Sequence, residues 1–385
     1  MTATNNSYDV IVVGTGPAGS TAAHLLAAAG VRVALIDKAA PPRYKTCGGG
    51  VIARARRLFA TDITPVVERE CRRVEINLLD AGLGVACERP HPIVSMTLRD
   101  RLDARLAEGA VAAGAELLAP CAVGAVRADA GGIALETACG PLVAALVVAA
   151  DGATGRLAGA AGWRANPGAI PAVEYEITAA EPTFARFAGA ARFDFGPVPH
   201  GYAWVFPKGT TLSVGALSTR RGFSGLRRCL ADYLARLGIT DVVAVERHGY
   251  VVPLRPVGKR LVRHRSVLVG DAAGLADPVT AEGISFAALS GRLAAAAIVE
   301  AGLDERAVRR GYEERVAEAI LPDLAVARAA ATILYDHPRA QAALFRRVGR
   351  EVAEALTDVM CGRESYREVL PRFLSSALRS SSVGS

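Results

Sequence analysis

The residues best suited to chemistry fall in two short stretches. In residues 45–51, KTCGGGV, the thiol of Cys47 stands beside Gly48, Gly49 and Gly50, whose missing side chains let backbone lie flat against a planar ligand. In residues 199–215, PHGYAWVFPKGTTLSVG, His200, Tyr202, Trp204 and Phe206 fall on alternate positions, so a strand there turns four rings to one face. Pro207 is expected to end that strand, with Lys208 and Gly209 as the turn. By residue type alone, the row fits either an aromatic core strand or the wall of an apolar ligand site. Cys47 is either a small packed thiol or a group acting on the ligand. Lys208 is either a turn lysine or the partner of a phosphate or carboxylate.

These side chains need a frame, and the N-terminal segment supplies one. Residues 8–38, YDVIVVGTGPAGSTAAHLLAAAGVRVALIDK, read as strand, glycine turn, helix and strand. Gly14, Gly16 and Gly19 suit the tight turn, the close approach of backbone to a pyrophosphate, and close helix–strand packing. Ala18 lies in the same turn, and amides at the helix start face phosphate charge. Asp37 ends the second strand, where its carboxylate can accept from ribose hydroxyls, and Lys38 follows it. The unit predicts a dinucleotide site.

Later segments repeat the pattern. A helix is expected over 98–113, and ALVVAADGATGR ends a buried strand of the same parallel sheet at Asp151-Gly152. Between about 168 and 256 the strands shorten and alternate, which predicts an antiparallel sheet as a second layer, joined by strand-like pieces at 71–79 and 84–88. Residues 266–300 return to strand, turn and long helix, with Gly270-Asp271 at the strand end, Pro278 in the loop and Gly283-Ile284 at the helix start. Residues 305–375 read as mostly helical, and SSALRSSSVGS as a frayed end. The implied division is 1–70, 95–165 and 260–300 for the dinucleotide domain, 71–94 and 166–259 for the antiparallel sheet, and 301–385 for the helical region.

Composition narrows the function classes. Of 385 residues, 51% are hydrophobic and 22% charged, which describes a well-buried globular enzyme-sized chain and argues against disorder. The formal net charge of +7 suits anionic ligands or a headgroup surface, and no motif points to nucleic acid. Seven scattered cysteines without a CxxC pair suggest neither a disulfide scaffold nor a metal site. The apolar run 10–31 is broken by glycines, so the chain reads as cytoplasmic and non-spanning, with peripheral membrane contact left open.

The three glycine–acid signatures in this order, GTGPAG with Asp37, then Asp151-Gly152, then Gly270-Asp271, resemble the FAD-binding frame of the p-hydroxybenzoate hydroxylase-like flavoproteins. The resemblance implies an α/β FAD-binding Rossmann-like domain, an antiparallel substrate sheet and a C-terminal helical region. It implies that the first motif holds the ADP half of FAD, that Asp271 bonds the ribityl chain, and that the amides near Gly283 and Ile284 meet the pyrimidine edge of the flavin. Arg99, Pro278, Cys47, Gly48 and Gly49 join the implied cofactor set.

The spacing Tyr202-x-Trp204-x-Phe206-Pro207-Lys208 followed by Gly215, together with KTCGGGV, is similar to the geranylgeranyl reductase family. That resemblance implies saturation of carbon–carbon double bonds in an isoprenoid chain by reduced FAD, with NAD(P)H or a ferredoxin as external donor. His200, Tyr202, Trp204, Phe206, Pro207, Lys208 and Gly215 become the expected substrate residues, and Cys47 and Tyr202 the candidate acids. The rival is a flavin monooxygenase or halogenase, which shares the frame.

Overall fold

The computed structural model describes residues 6–129, 131–164 and 168–369. Two large sheets organise it. In the first, Ser7–Val13 lies between Val33–Ile36 and Gly140–Ala149, parallel to both. Glu116–Leu118 extends one side, and Ser266–Leu268 with Val262–Arg263 the other. Val10, Ile11 and Val12 are fully buried, as a strand covered on both faces requires. Helices Pro17–Ala28 and Ile284–Ala301 pack on each other over this sheet, and Arg99–Ala112 packs beside the first of them. A hairpin, Val123–Ala128 and Ile133–Thr137, adds antiparallel to Gly140–Ala149.

The second sheet runs in the order Val242–Pro253, Ala169–Ala179, Thr211–Ser218, Gly201–Lys208, Ala191–Phe195, Arg73–Leu78, Leu83–Glu88. It is antiparallel as expected except at one place: Ala191–Phe195 and Arg73–Leu78 pair parallel. The two strands come from opposite sides of the nucleotide-binding segment, so no tight turn constrains their relative direction. Apolar side chains cover both faces, one facing the C-terminal helices, the other facing helix Leu226–Arg236. A separate three-stranded sheet, Gly50–Ile52, Val94–Thr97 and Val67–Cys71, is not signalled by any local pattern. It fastens the glycine loop between the two larger layers.

Helices Glu305–Ala319, Leu321–Asp336 and Pro338–Cys361 follow. Asp304 caps the first, its Oδ1 accepting from the Ala307 N–H at 2.8 Å. The last packs against Leu83–Glu88 at the end of the second sheet. The serine-rich stretch expected to fray lies outside the described residues.

Candidate active site

One cavity of roughly 690 Å³ runs between the layers, a volume in the range of small-molecule and cofactor sites. Its first end is the glycine turn. Gly14 has φ +110°, and a Cβ there would lie 2.3 Å from the Ala150 carbonyl oxygen, so no other residue fits without displacing the neighbouring strand. Gly16 caps helix Pro17–Ala28 with no side-chain hydrogen bond, and Gly16, Pro17 and Ala18 line the cavity. The first-turn amides of a long helix are thus offered to a phosphate.

The acids around this end are held differently. Asp37 Oδ2 accepts from Thr15 N at 2.9 Å and Thr15 Oγ1 at 2.7 Å, and from Arg43 Nε at 3.1 Å. Burial pushes its carboxyl up, but the Thr15 N–H and the Arg43 charge together outweigh it, and the net shift is downward. Arg43 also reaches Asp103 at 3.0 Å, and Asp103 holds the buried Arg99 through two bonds of 2.9 Å. Burial opposes the Arg99 charge, yet the Asp103 carboxylate keeps it firmly cationic at the cavity wall. Asp151 accepts from Leu157 N at 3.0 Å, while its buried Oδ1 has no partner. Burial accordingly pushes its carboxyl up. A glycine cradle, an open helix start, fixed cations and an orphaned acceptor in one cavity fit a bound dinucleotide phosphate and its sugar hydroxyls.

The other end is aromatic. Tyr202, Trp204 and Phe206 project into the cavity from Gly201–Lys208, and Phe193 joins them from the next strand. Phe193 and Phe206 stand edge-on at 5.1 Å between centroids, and Tyr202 and Trp204 tilt at 6.0 Å. Behind them Tyr335 stacks on Tyr202 at 6.5 Å. The loop carrying Cys47 lies directly on this wall: a Cβ on Gly48 would sit 2.9 Å from Phe206 Cδ2 and 3.3 Å from Trp204 Nε1. Cys47 Sγ accepts from Gly49 N at 3.4 Å and lines the same space.

Comparison with known proteins places the chain that carries these features. Residues 7–196 match the FAD binding domain family. The chain is 32% identical over 330 residues to digeranylgeranylglycerophospholipid reductase 2 of Methanothermobacter thermautotrophicus, covering 80% of this chain and 83% of that one. It is 32% identical over 299 residues to geranylgeranyl diphosphate reductase of Rhodobacter capsulatus, covering 75% and 74%. The chain belongs to the geranylgeranyl reductase family. A geranylgeranyl bacteriochlorophyll reductase-like protein of Thermoplasma acidophilum has the same fold, with a TM-score of 0.81 at 24% identity over 96% of this chain and 99% of that chain. A flavin-dependent brominase matches at a TM-score of 0.71 and 18% identity, over 92% of this chain and 94% of that one, a likeness of fold alone. The protein is therefore an FAD-dependent oxidoreductase of p-hydroxybenzoate hydroxylase-like fold, and the glycine cradle falls within the matched FAD binding domain.

Within this geranylgeranyl reductase-family frame, the expected residues separate into two groups. Lys38, Asp151, Gly152 and Asp271 line the cavity, as do Gly283 and Ile284 at the start of helix Ile284–Ala301. Gly49 does so too, beside Gly48 and Cys47. Gly19, Gly270 and Pro278 do not reach it. Gly19 packs helix onto the Gly14 carbonyl, Gly270 lets Ala18 and Ala287 approach, and Pro278 is buried in the loop beyond.

Four expected substrate residues do not line the cavity. His200 leaves the aromatic face because it sits at φ +55° before the strand begins, with Nδ1 2.9 Å from Asp336 at the surface. Pro207 does not end the strand, which runs on through Lys208. Lys208 is buried at 2% exposure under the glycine loop, paired with Glu176 and 4.0 Å from Glu174, and is not placed to meet a head group from the cavity. Gly215 lies across from Trp204 and leaves the space its indole fills.

Tyr202 apart, the acids that complete the lining carry no readable motif. Tyr202 donates to the Thr280 carbonyl, and burial drives its phenol well above the usual range, so its proton stays on oxygen. Asp277 accepts from Tyr366 at 2.7 Å and from Val279 N at 2.7 Å. Glu282 accepts from Ser285 N at 2.7 Å with Arg54 Nη2 at 3.8 Å. Burial pushes the Glu282 carboxyl up against that arginine. Glu174 faces the cavity from Ala169–Ala179. The only sequence signal for it is a strand, AVEYEIT, with two acids on one face.

Proposed function

We propose that this protein saturates carbon–carbon double bonds of an isoprenoid chain held against the aromatic wall. The observation that carries the reading is the continuity of Phe193, Tyr202, Trp204 and Phe206 with the Cys47 loop of the FAD site, in one cavity that extends to Val359, Met360 and Tyr366 on the C-terminal segment. A polyprenyl tail offers area and little else, and each buried methylene contributes about 0.8 kcal/mol. Reduced FAD supplies the hydride when bound. The chain's own part is to hold the alkene over the glycine loop, exclude water with rings, and stabilise developing positive charge on carbon. Aromatic faces contribute about 0.5–2 kcal/mol to such a charge. The Tyr202 hydroxyl is tied to the Thr280 carbonyl, so it acts as wall and not as acid.

One relative is named for a glycerophospholipid and another for a diphosphate, so the chemistry they share is the tail. In the same reading the protein works in the cytoplasm, meets a lipid-borne substrate at a membrane surface, and takes electrons from NAD(P)H or a ferredoxin. The net charge of +7 supports the approach to an anionic surface. The test is anaerobic incubation of dithionite-reduced holoprotein with geranylgeranyl diphosphate, a geranylgeranyl glycerolipid and a prenylated quinone, followed by mass spectrometry and flavin absorbance. Products heavier by pairs of hydrogens with matching flavin oxidation support it. Unchanged substrates, with rapid oxygen-dependent flavin oxidation and an oxygenated or halogenated product, would replace it with the monooxygenase or halogenase reading.

A further inference from the structure

Saturating an alkene takes a proton as well as a hydride, and the carboxyls that line the cavity are unequal candidates. Asp277 and Glu282 have their oxygens engaged by Tyr366, Val279, Ser285 and Arg54. Asp37 is held by Thr15 and Arg43, Asp151 lies at the glycine-turn end, and Asp271, beside Gly283, is only partly buried. Glu174 differs. It is 1% exposed, it faces the cavity, its Oε2 closes no hydrogen bond, and the Cys47 amide is the backbone donor that approaches its carboxyl.

The sheet register explains what surrounds it. Glu174 lies opposite Gly215, which lies opposite Trp204, so the acid and the indole share one row across three strands. Trp204 Nε1 donates to Ser213 Oγ at 3.3 Å, and Ser213 Oγ donates to Glu174 Oε1. Lys208 Nζ bonds Glu176 and lies 4.0 Å from Glu174 Oε1. Glu176 Oε2 is also buried and unpartnered. Two carboxyls therefore share one ammonium in a nearly dry site.

Among the described residues, Lys208 is the cation whose charge bears on Glu174. His248 is the register partner of Glu174 on the edge strand, but its Nε2 lies 3.5 Å from Glu246, and its ring packs on Tyr44 at 4.2 Å. Cys47 and Tyr44 face the cluster from the glycine loop, and neither brings positive charge. One proton is the simplest way to neutralise such a cluster. Burial pushes the Glu174 carboxyl up, Lys208 pulls against it, and Glu176 adds to the rise.

We propose that Glu174 is the proton donor of the reaction, carried protonated in a buried Glu174–Lys208–Glu176 cluster behind the aromatic wall and delivered into the cavity beside Cys47. The proposal rests on the isoprenoid reductase reading. In the step, the Glu174 O–H bond breaks and a C–H bond forms at one alkene carbon, while the other carbon takes the hydride and its electron pair from reduced FAD. The Glu174 carboxylate left behind is stabilised by Lys208 and regains its proton from solvent at the Tyr44–His248 rim, where Tyr44 is 51% exposed.

Two measurements on FAD-loaded protein test this separately. The infrared spectrum at neutral pH should carry a protonated-carboxyl band that Glu174→Gln and Glu176→Gln each remove, since either leaves one acid for one lysine. Lys208→Met should strengthen the band. In single turnover under anaerobic conditions, Glu174→Gln should retain FAD and accept electrons from dithionite, yet lose about a hundredfold or more in alkene reduction. Lys208→Met should move the alkaline limb of the pH–rate profile upward.

Absence of the band in the wild type would overturn the proposal, as would a Glu174→Gln rate within threefold of the wild type. If the wild type reduced no prenyl substrate, the functional reading would fall while the infrared result still decided whether the cluster holds a proton.

Discussion

Replacing Gly215 by alanine adds one methyl group, and the structure sets its cost. The new Cβ would lie 2.0 Å from Trp204 Cζ2 and 2.5 Å from Cε2 and Cη2. Carbon atoms rest about 3.5–4.0 Å apart, so the indole must retreat by about 1.5–2 Å. Trp204 is 7% exposed and packed among Tyr202 and Phe206, so it has nowhere free to go except the cavity itself. Overpacking of this kind costs about 1–3 kcal/mol. The Trp204–Ser213 hydrogen bond, 3.3 Å long, is lost with the movement and adds about 1 kcal/mol. A destabilisation of about 2–4 kcal/mol is therefore expected for Gly215→Ala, measured by urea unfolding of the FAD-loaded protein. The same variant should bind prenyl substrate more weakly, because the displaced ring occupies its wall. Combining it with Trp204→Phe should recover at least about 1 kcal/mol by removing the atoms in conflict. The reasoning fails if Gly215→Ala costs under about 0.5 kcal/mol, the range of ordinary surface changes, or if the double variant is no more stable than the single one.

Three further outcomes follow from the site. Gly14→Ala meets the Ala150 carbonyl at 2.3 Å with φ at +110°, so it should purify without flavin absorbance while wild type retains FAD. Asp37 has its carboxyl held below the ordinary value in the fold, so its contribution to stability is complete above the unfolded value of about 3.9 and disappears as pH falls through the folded one. Asp37→Asn should lower stability at neutral pH and flatten the acid limb of a melting-temperature profile, and an unchanged limb would contradict this. Tyr202→Phe leaves the Thr280 carbonyl without its donor and should cost about 1–3 kcal/mol by denaturation, yet keep alkene reduction within tenfold of wild type, below the usual worth of a general acid. A loss of a hundredfold or more would make the hydroxyl a proton donor after all.

The parts of this protein that can be read in advance are those whose physics is local. The glycine turn, its two strands and its helix are specified within about thirty residues, and the aromatic row declares its face by period alone. Pro207 misleads because a proline usually closes a strand. Here it lies beyond Val205, the last residue of its strand paired with Ala191–Phe195, so a missing N–H interrupts no ladder on that side. Lys208 then stays in the strand and becomes buried instead of turning outward. His200 joins the row by its spacing, which says nothing about a left-handed backbone one residue before the strand.

Glu174 escapes notice for a related reason. In a sheet covered on both faces, alternation does not reveal which face of AVEYEIT meets the cavity, and Tyr175 packs in the opposite apolar layer. The three-stranded sheet and the one parallel pair depend on segments far apart in the chain, for which no short pattern exists.

That parallel pair also bears on how the molecule comes into being. Arg73–Leu78 emerges early in synthesis, yet its partner Ala191–Phe195 follows more than a hundred residues later, after the segment that completes the centre of the nucleotide sheet. Until then Val74, Ile76 and Leu78, each under 5% exposed in the finished protein, have no strand to cover that edge. Such long-range closure is slow and leaves an adhesive edge on the nascent chain. A designer wishing to exchange the substrate sheet for another could not excise it as one contiguous cassette. Two separate grafts would be needed, and a chimaera carrying only one of them should aggregate before it could ever bind a ligand.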